Sequence, residues 1–136
     1  MLKNLCLLLY IDYYDALHIL AEAFLQFENR KIANHQCLFA FLCKNHPELE
    51  FDWYFFEEIR FNRNGAHYYG KKITYEDWEK AKLKFNLYIS ALKKEIEKRL
   101  GSSLWKRCLA IISAKNVWRF KHAVFICQWN FTSPKP

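Results

Sequence analysis

The sequence predicts an all-α protein, an antiparallel bundle of four main helices followed by a short extra helix or extension. Apolar residues recur at intervals of three and four through most of residues 1–100, which is the spacing of amphipathic helices. No segment of those residues alternates apolar and polar side chains as a half-buried strand does. Turn signals separate the helices by short loops, which favours antiparallel neighbours.

The first predicted helix begins in the apolar run of residues 1–11. That run is interrupted at Asp12, well short of the roughly 20 apolar residues that cross a bilayer, so we interpret it as a core helix and expect no membrane partner. Further along, the apolar positions follow one face of a helix: Leu17, Leu20, Ala21, Phe24 and Phe27.

Local signals mark the ends of the other three helices. The second spans residues 37–44, with Asn34 as its N-cap and Pro47 just after its end. The third covers residues 51–69. A capping box at residues 74–77 starts the fourth, about 25 residues long, and Gly101 is suited to its C-cap. Residues 104–114 suggest a fifth helix.

The positive charge is concentrated at one end of the chain. The formal net charge is +7, but residues 1–100 hold 15 basic and 14 acidic residues, a net of +1. Residues 101–136 hold six basic residues and no acidic one, a net of +6. We therefore divide the chain into a helical bundle, 1–100, and a basic, aromatic extension, 101–136. Three interpretations of the extension stay open: it binds single-stranded RNA, it binds a partner protein, or it is a disordered end.

The sequence does not indicate a disulfide framework, a cofactor site or a metal site. The five cysteines form no Cys-x-x-Cys pair, which suggests reduced thiols and a cytoplasmic protein. No phosphate-binding glycine loop is present, so we expect no cofactor. Four residues of metal-ligand type lie near the second helix: His35, Cys37, Cys43 and His46. Their spacing does not suit the binding of one metal ion, so we interpret them as structural thiols and surface histidines.

The segment 57–70 contains the residues best suited to chemistry. On a helix, Arg60, Arg63 and His67 fall within an arc of about 60° on the apolar face. Two guanidinium groups can bind a phosphate, and an imidazole can move protons near neutral pH. That set suits the cleavage of a phosphodiester without a metal ion. Alternatively, the arginines pair with Glu57, Glu58 or a neighbouring helix, and His67 is structural.

The same segment resembles the HEPN domain, a small helical bundle marked by an Arg, four to six residues, a His and often a Tyr two places on. Arg60, the six residues 61–66, His67 and Tyr69 fit that pattern. The resemblance covers roughly residues 10–100. In the commoner form of the motif, Arg-Asn is followed by three residues and then by His. If Arg63 and Asn64 are taken as that Arg-Asn pair, the position of the His is occupied by Tyr68, so the sequence departs from this form.

The resemblance implies a homodimer whose Arg and His residues meet in a cleft between subunits. Many HEPN proteins are metal-independent RNA endonucleases, often the toxin of a toxin–antitoxin pair. By this resemblance His67 is the proton-transfer group, Arg60 and Arg63 bind and stabilise the phosphate, and Asn64 and Tyr69 are binding residues. Other members are non-catalytic modules that dock a nucleotidyltransferase or a nucleotide, and in some pairs the partner modifies the tyrosine after the His. A helical dimer without activity is a third interpretation.

Overall fold

The fold is an all-α bundle, as predicted. The computed structural model describes residues 2–101, 104 and 106, and no strand occurs among them. Apart from residues 104 and 106, the predicted fifth helix lies outside these residues, as does most of the extension. The four helices are α1 (Leu2–Gln26), α2 (His35–Asn45), α3 (Trp53–Tyr68) and α4 (Tyr75–Leu100), and a 3₁₀ turn, Pro47–Leu49, joins α2 to α3.

Side-chain caps begin α2 and α3. The Asn34 carboxamide oxygen accepts hydrogen bonds from the backbone N–H groups of Gln36 and Cys37, at 2.9 and 3.2 Å. The predicted cap of α2 is therefore confirmed, and the helix begins two residues earlier than predicted because His35 and Gln36 follow this cap directly. Asp52 caps α3 by accepting from the Tyr54 N–H at 3.0 Å.

The predicted capping box of α4 is also confirmed. The Asp77 N–H donates to Thr74 Oγ1 at 3.2 Å, and the Thr74 N–H donates back to Asp77 Oδ2 at 3.0 Å. Both N–H groups, which the helix itself leaves without a partner, are thus satisfied. At the other end Gly101 has a φ of 77°, a left-handed conformation that glycine adopts without steric cost.

Aromatic contacts show how the helices are arranged. The Tyr13 ring in the middle of α1 meets the Trp78 ring near the start of α4 at 5.0 Å. Near the ends of both helices the Arg99 guanidinium lies 4.4 Å from the Phe24 ring, so α1 and α4 run in the same direction. The start of α3 is joined to the middle of α4 by a hydrogen bond from the Asp52 N–H to the Tyr88 hydroxyl, 2.8 Å long. Because the end of α3 connects through residues 69–74 to the start of α4, α3 is antiparallel to both.

The core is rich in aromatic side chains. The Phe39 and Phe56 rings stack at 4.4 Å and join α2 to α3. Each fully buried aromatic or aliphatic side chain contributes on the order of 1.5–3 kcal/mol through the area it removes from water. None of the described helices is both long and apolar enough to cross a membrane. The largest side chains that are almost completely buried are Tyr10, Tyr14, Phe24, Phe39, Phe56 and Phe85.

The segment of residues 46–52, which we call the α2–α3 junction, is held by close contacts between basic side chains and carboxylates. His46 is only 7% exposed, and its two ring nitrogens lie 2.7 and 2.8 Å from carboxylate oxygens of Glu28 and Glu48. At the other end of the junction, Lys84 Nζ donates to Asp52 Oδ2 at 2.9 Å. This hydrogen bond holds the pKa of Asp52 below its usual value. The position expected for His46, on the surface, is wrong because the ring packs edge-on against Phe24.

Candidate functional site

An open cleft of about 330 Å³ lies beside the second half of α3. Its walls come from the loop before α2, the first residue of α2 and the last three turns of α3. We call it the Arg cleft. Of the predicted site residues, it brings together Arg60, Arg63 and Asn64. The lining residues are Ala33, Asn34, His35, Arg60, Arg63, Asn64 and Tyr68.

Arg63 is the most buried charged residue of the cleft, at 8% exposure. Its Nη2 is 3.7 Å from the nearest carboxylate oxygen of Asp15, and its Nη1 donates a long, 3.5 Å hydrogen bond to Asn64. The guanidinium carbon lies 5.6 Å from the centre of the Tyr14 ring. Its Nε is buried and has no hydrogen-bond partner in the described part of the chain. The side chain is therefore enclosed but only loosely paired.

Arg60 is paired much more closely. Its Nε and Nη2 donate to the two carboxylate oxygens of Glu57, at 2.9 and 3.0 Å, which is a bidentate ion pair within α3. This pairing raises the pKa of Arg60 and lowers that of Glu57. The predicted alternative, in which Arg60 pairs with Glu57, is therefore confirmed, and Arg60 presents a balanced charge to the cleft.

A histidine that the sequence pattern did not associate with this site lines the cleft. His35 is half-buried at the surface of the protein, where it lines the open cleft. Its Nδ1 is 2.9 Å from the Tyr14 hydroxyl, and its ring stacks on that of His18 with 3.7 Å between centroids. Burial raises the pKa of Tyr14 to about 12, although the charge of Arg63 acts in the opposite direction. The phenol is thus protonated at neutral pH.

The predicted residues at the end of α3 lie elsewhere. His67 is exposed, and its ring meets that of Tyr68 edge-on at 5.1 Å. Tyr69 is 86% exposed. Neither belongs to the described residues that line the Arg cleft. The structure thus separates the predicted set into two arginines and an asparagine in the cleft, and a histidine and a tyrosine on the surface beyond it.

A buried asparagine beside this site was also missed. Asn62 is 8% exposed, its amide donates to the Tyr10 hydroxyl at 3.1 Å, and its oxygen accepts from Lys71 Nζ at 2.6 Å. The Lys71 side chain reaches it across Gly65, where an added Cβ would lie 3.1 Å from the nearest Lys71 carbon. This network fixes the turn after α3 against α1 and so positions the helix that carries the arginines.

The chemistry of the cleft is that of an anion site with a group able to transfer protons. Two guanidiniums and a carboxamide can donate hydrogen bonds to phosphate oxygens, and an imidazole can give or take a proton. Among residues 2–101, 104 and 106, no group of three or more His, Cys, Asp or Glu side chains is placed to hold a metal ion. No family model, curated protein or solved structure matches the chain.

Proposed function

We propose that the chain is a metal-independent RNA endonuclease of the HEPN type, which acts as a homodimer and serves as the toxin of a toxin–antitoxin pair. Arg63 is the observation that carries the proposal. It is buried, its nearest carboxylate is 3.7 Å away, and its Nε has no hydrogen-bond partner in the described part of the chain. A buried charge is costly unless it is paired, and a phosphate in the cleft would supply a closer counter-charge to this guanidinium than Asp15 does.

The shape and charge of the Arg cleft support a phosphodiester as its ligand. Its volume of about 330 Å³ accommodates a phosphate with part of the adjoining nucleoside. Arg63 would donate to the phosphate oxygens from the inner wall, and the amide of Asn64 from beside it. Arg60, whose side chain is 26% exposed, would have to turn part of its guanidinium from Glu57 towards the phosphate to stabilise the developing negative charge there.

RNA is the substrate class because it carries its own nucleophile. The ribose 2′-hydroxyl can attack the neighbouring phosphorus once its proton is removed, so the protein has to supply only charge stabilisation and proton transfer. His67 is the proton-transfer group suggested by the resemblance. It is exposed at the end of α3, where a second subunit can bring substrate and cleft together.

Exposed aromatic side chains near His67 support a surface for a second subunit. Phe61 is 67% exposed and Tyr68 is 69% exposed, and both belong to α3. Apolar rings of this size on one helix are typical of residues that a partner covers. The expected dimer would bury them and place two Arg clefts close to each other.

Docking of a nucleotidyltransferase is the second candidate function. Tyr69 favours it, since its hydroxyl-bearing ring is 86% exposed and follows the end of α3 without entering the cleft. A tyrosine in that position is accessible to an enzyme that transfers a nucleotide to it. In this case the helical bundle would bind the partner and would cut no RNA.

Incubation of purified protein with a labelled single-stranded oligoribonucleotide in EDTA tests the proposal. We expect fragments ending in a 2′,3′-cyclic phosphate, abolished in His67→Ala and strongly reduced in Arg63→Gln and Arg60→Ala. Lys98→Gln, which changes a 78% exposed side chain at the end of α4, is the matched charge control and should cleave as the wild type does.

The outcomes separate the two functions. Equal cleavage by wild type and the variants His67→Ala, Arg63→Gln and Arg60→Ala would contradict the endonuclease proposal, because the cutting would then come from a contaminant. No cleavage by any form, together with nucleotide transfer to wild type but not to Tyr69→Phe by a nucleotidyltransferase expressed with it, would favour docking. Light scattering of the same samples measures whether the chain is a dimer.

A further inference from the structure

Cleavage through the 2′-hydroxyl needs two proton transfers, and the role assigned to His67 accounts for only one. One group takes the proton from the 2′-hydroxyl as the bond between O2′ and phosphorus forms. Another gives a proton to the 5′ oxygen as the bond between phosphorus and that oxygen breaks and the electron pair stays on oxygen. The Arg cleft also contains the imidazole of His35, to which the proposed reaction has assigned no role.

His35 is held in a way that suits repeated proton transfer. The Tyr14 hydroxyl lies 2.9 Å from Nδ1, and a phenol can either donate or accept a hydrogen bond. When Nδ1 carries a hydrogen, it can donate to the phenol oxygen whether the ring is neutral or charged. Nε2 can then gain and lose a proton while the ring keeps its anchor. Because Tyr14 is buried in the core, that anchor is rigid.

Charged and titratable groups surround this imidazole on two helices. From α1 come the stacked ring of His18, with Glu22 3.7 Å beyond it, and the phenol of Tyr14. From α3 come the two arginines of the cleft. The two stacked rings are close enough for a charge on one to act on the other. The carboxylates of Asp15 and Glu57 complete the set by balancing the arginines.

We propose that His35 contacts the bound RNA phosphate and performs the second proton transfer, with Tyr14 and His18 as positioning residues. The inference rests on the proposed endonuclease function and adds to it a residue that lies outside the sequence motif of α3. One of His35 and His67 removes the 2′-hydroxyl proton, and the other protonates the 5′ oxygen. The products are a 2′,3′-cyclic phosphate and a free 5′-hydroxyl, and each histidine is restored by exchanging a proton with water.

The test compares the pH dependence of cleavage in His35→Gln, Tyr14→Phe and wild type, with the same labelled oligoribonucleotide in EDTA. We expect a bell-shaped profile for wild type. His35→Gln should lower kcat by about 100-fold or more and lose one limb of the bell, with little change in KM. Tyr14→Phe keeps the buried ring and should lower kcat about 10-fold. Cys37→Ala, at an exposed position in the same turn of α2, is the control and should match wild type.

A second readout does not depend on cleavage. The 2′-deoxy form of the oligonucleotide lacks the nucleophile and cannot be cut, so its binding can be followed by NMR of the histidine rings. We expect the ring signals of His35, identified by their absence in His35→Gln, to shift on binding. Signals of His46, which lies at the α2–α3 junction, should stay in place.

Two results would overturn the inference, and they are distinguishable. If wild type cleaves and His67→Ala does not, while His35→Gln keeps both the rate and the bell-shaped profile, His35 has no catalytic part and the endonuclease function stands. If wild type cleaves no RNA, the endonuclease function fails and the inference fails with it. A stable His35→Gln that binds the 2′-deoxy oligonucleotide normally but has lost one limb of the profile would support it.

Discussion

His46 and Arg63 are buried to nearly the same extent, yet the protein pairs them very differently. At the α2–α3 junction, His46 is 7% exposed and has carboxylate oxygens 2.7 and 2.8 Å from its ring nitrogens. In the Arg cleft, Arg63 is 8% exposed, its nearest carboxylate oxygen is 3.7 Å away, and its Nε has no hydrogen-bond partner in the described part of the chain. In the described part of the chain each residue has one buried nitrogen without a well-formed hydrogen bond, His46 Nε2 and Arg63 Nε, so the difference lies in how closely carboxylates approach the two side chains.

The difference indicates what each region does. A buried ring with a carboxylate oxygen close to each of its nitrogens contributes to the free energy of unfolding, since its removal leaves the two carboxylates without that contact. A buried guanidinium with loose contacts costs free energy in the ligand-free protein, and such costs are typical of sites that bind a ligand. We therefore assign the junction to the stability of the fold and propose the cleft as the site that binds an anion.

The largest expected effect is on catalysis. Arg63→Gln should lower kcat/KM for RNA cleavage by about 100-fold, the usual result of removing one donor from a developing oxyanion. Its free energy of unfolding should change by less than about 1 kcal/mol, because the arginine has no close ion pair to lose. Cleavage rates and urea unfolding measure the two quantities. A loss of several kcal/mol with normal cleavage would make Arg63 a structural residue.

The reverse pattern is expected at the junction. His46→Ala should lower the free energy of unfolding by about 2 kcal/mol, since Glu28 and Glu48 lose their shared partner. Cleavage per folded molecule should be unchanged. Urea unfolding of His46→Ala and of the control Lys44→Ala, which changes an exposed residue in the last turn of α2, measures the effect. Unaltered stability in His46→Ala would remove the contrast with Arg63.

A smaller effect is expected at Asp52, which caps α3 and pairs with Lys84. Asp52→Ala should cost about 1 kcal/mol, whereas Asp52→Asn keeps the cap and should cost less. Because the folded-state pKa of Asp52 is lowered, its contribution is fully present above the ordinary value of about 3.9 and is lost as pH falls through the lowered value. Urea unfolding of Asp52→Asn between pH 7 and 2 should therefore show less loss in acid than wild type does.

The smallest effect is the response to inorganic phosphate. At a concentration equal to its Kd, phosphate should stabilise wild type by about 0.4 kcal/mol and Arg63→Gln by less, as expected for a ligand that binds only the folded state. Thermal unfolding in phosphate and in chloride of matched ionic strength measures this. Equal stabilisation of the two proteins would show that phosphate acts elsewhere on the surface.

The helices and their caps could be predicted because their signals are local. Asn34, Thr74 and Asp77 act on backbone groups within three residues, so the sequence contains both partners of each hydrogen bond. The periodicity of α3 also placed Arg60 and Arg63 on the inner side of the helix.

The depth of each residue and the partners from other helices could not be predicted. Periodicity gives the direction of a side chain but not its depth. Arg63 is buried because Tyr14 and Asp15 lie opposite it, whereas His67 is exposed in the last turn of α3. The contact between Tyr14 and His35 joins residues 21 positions apart, and no spacing rule predicts it.

The central claim is that the Arg cleft binds the phosphate of RNA through Arg63. Fluorescence anisotropy of a labelled, uncleavable 2′-deoxy oligonucleotide, titrated with wild type, Arg63→Gln and Lys98→Gln, tests it most directly. The account predicts that Kd rises at least about 10-fold in Arg63→Gln, equivalent to about 1.4 kcal/mol, and stays unchanged in Lys98→Gln. Equal affinity of a folded Arg63→Gln and wild type would contradict it.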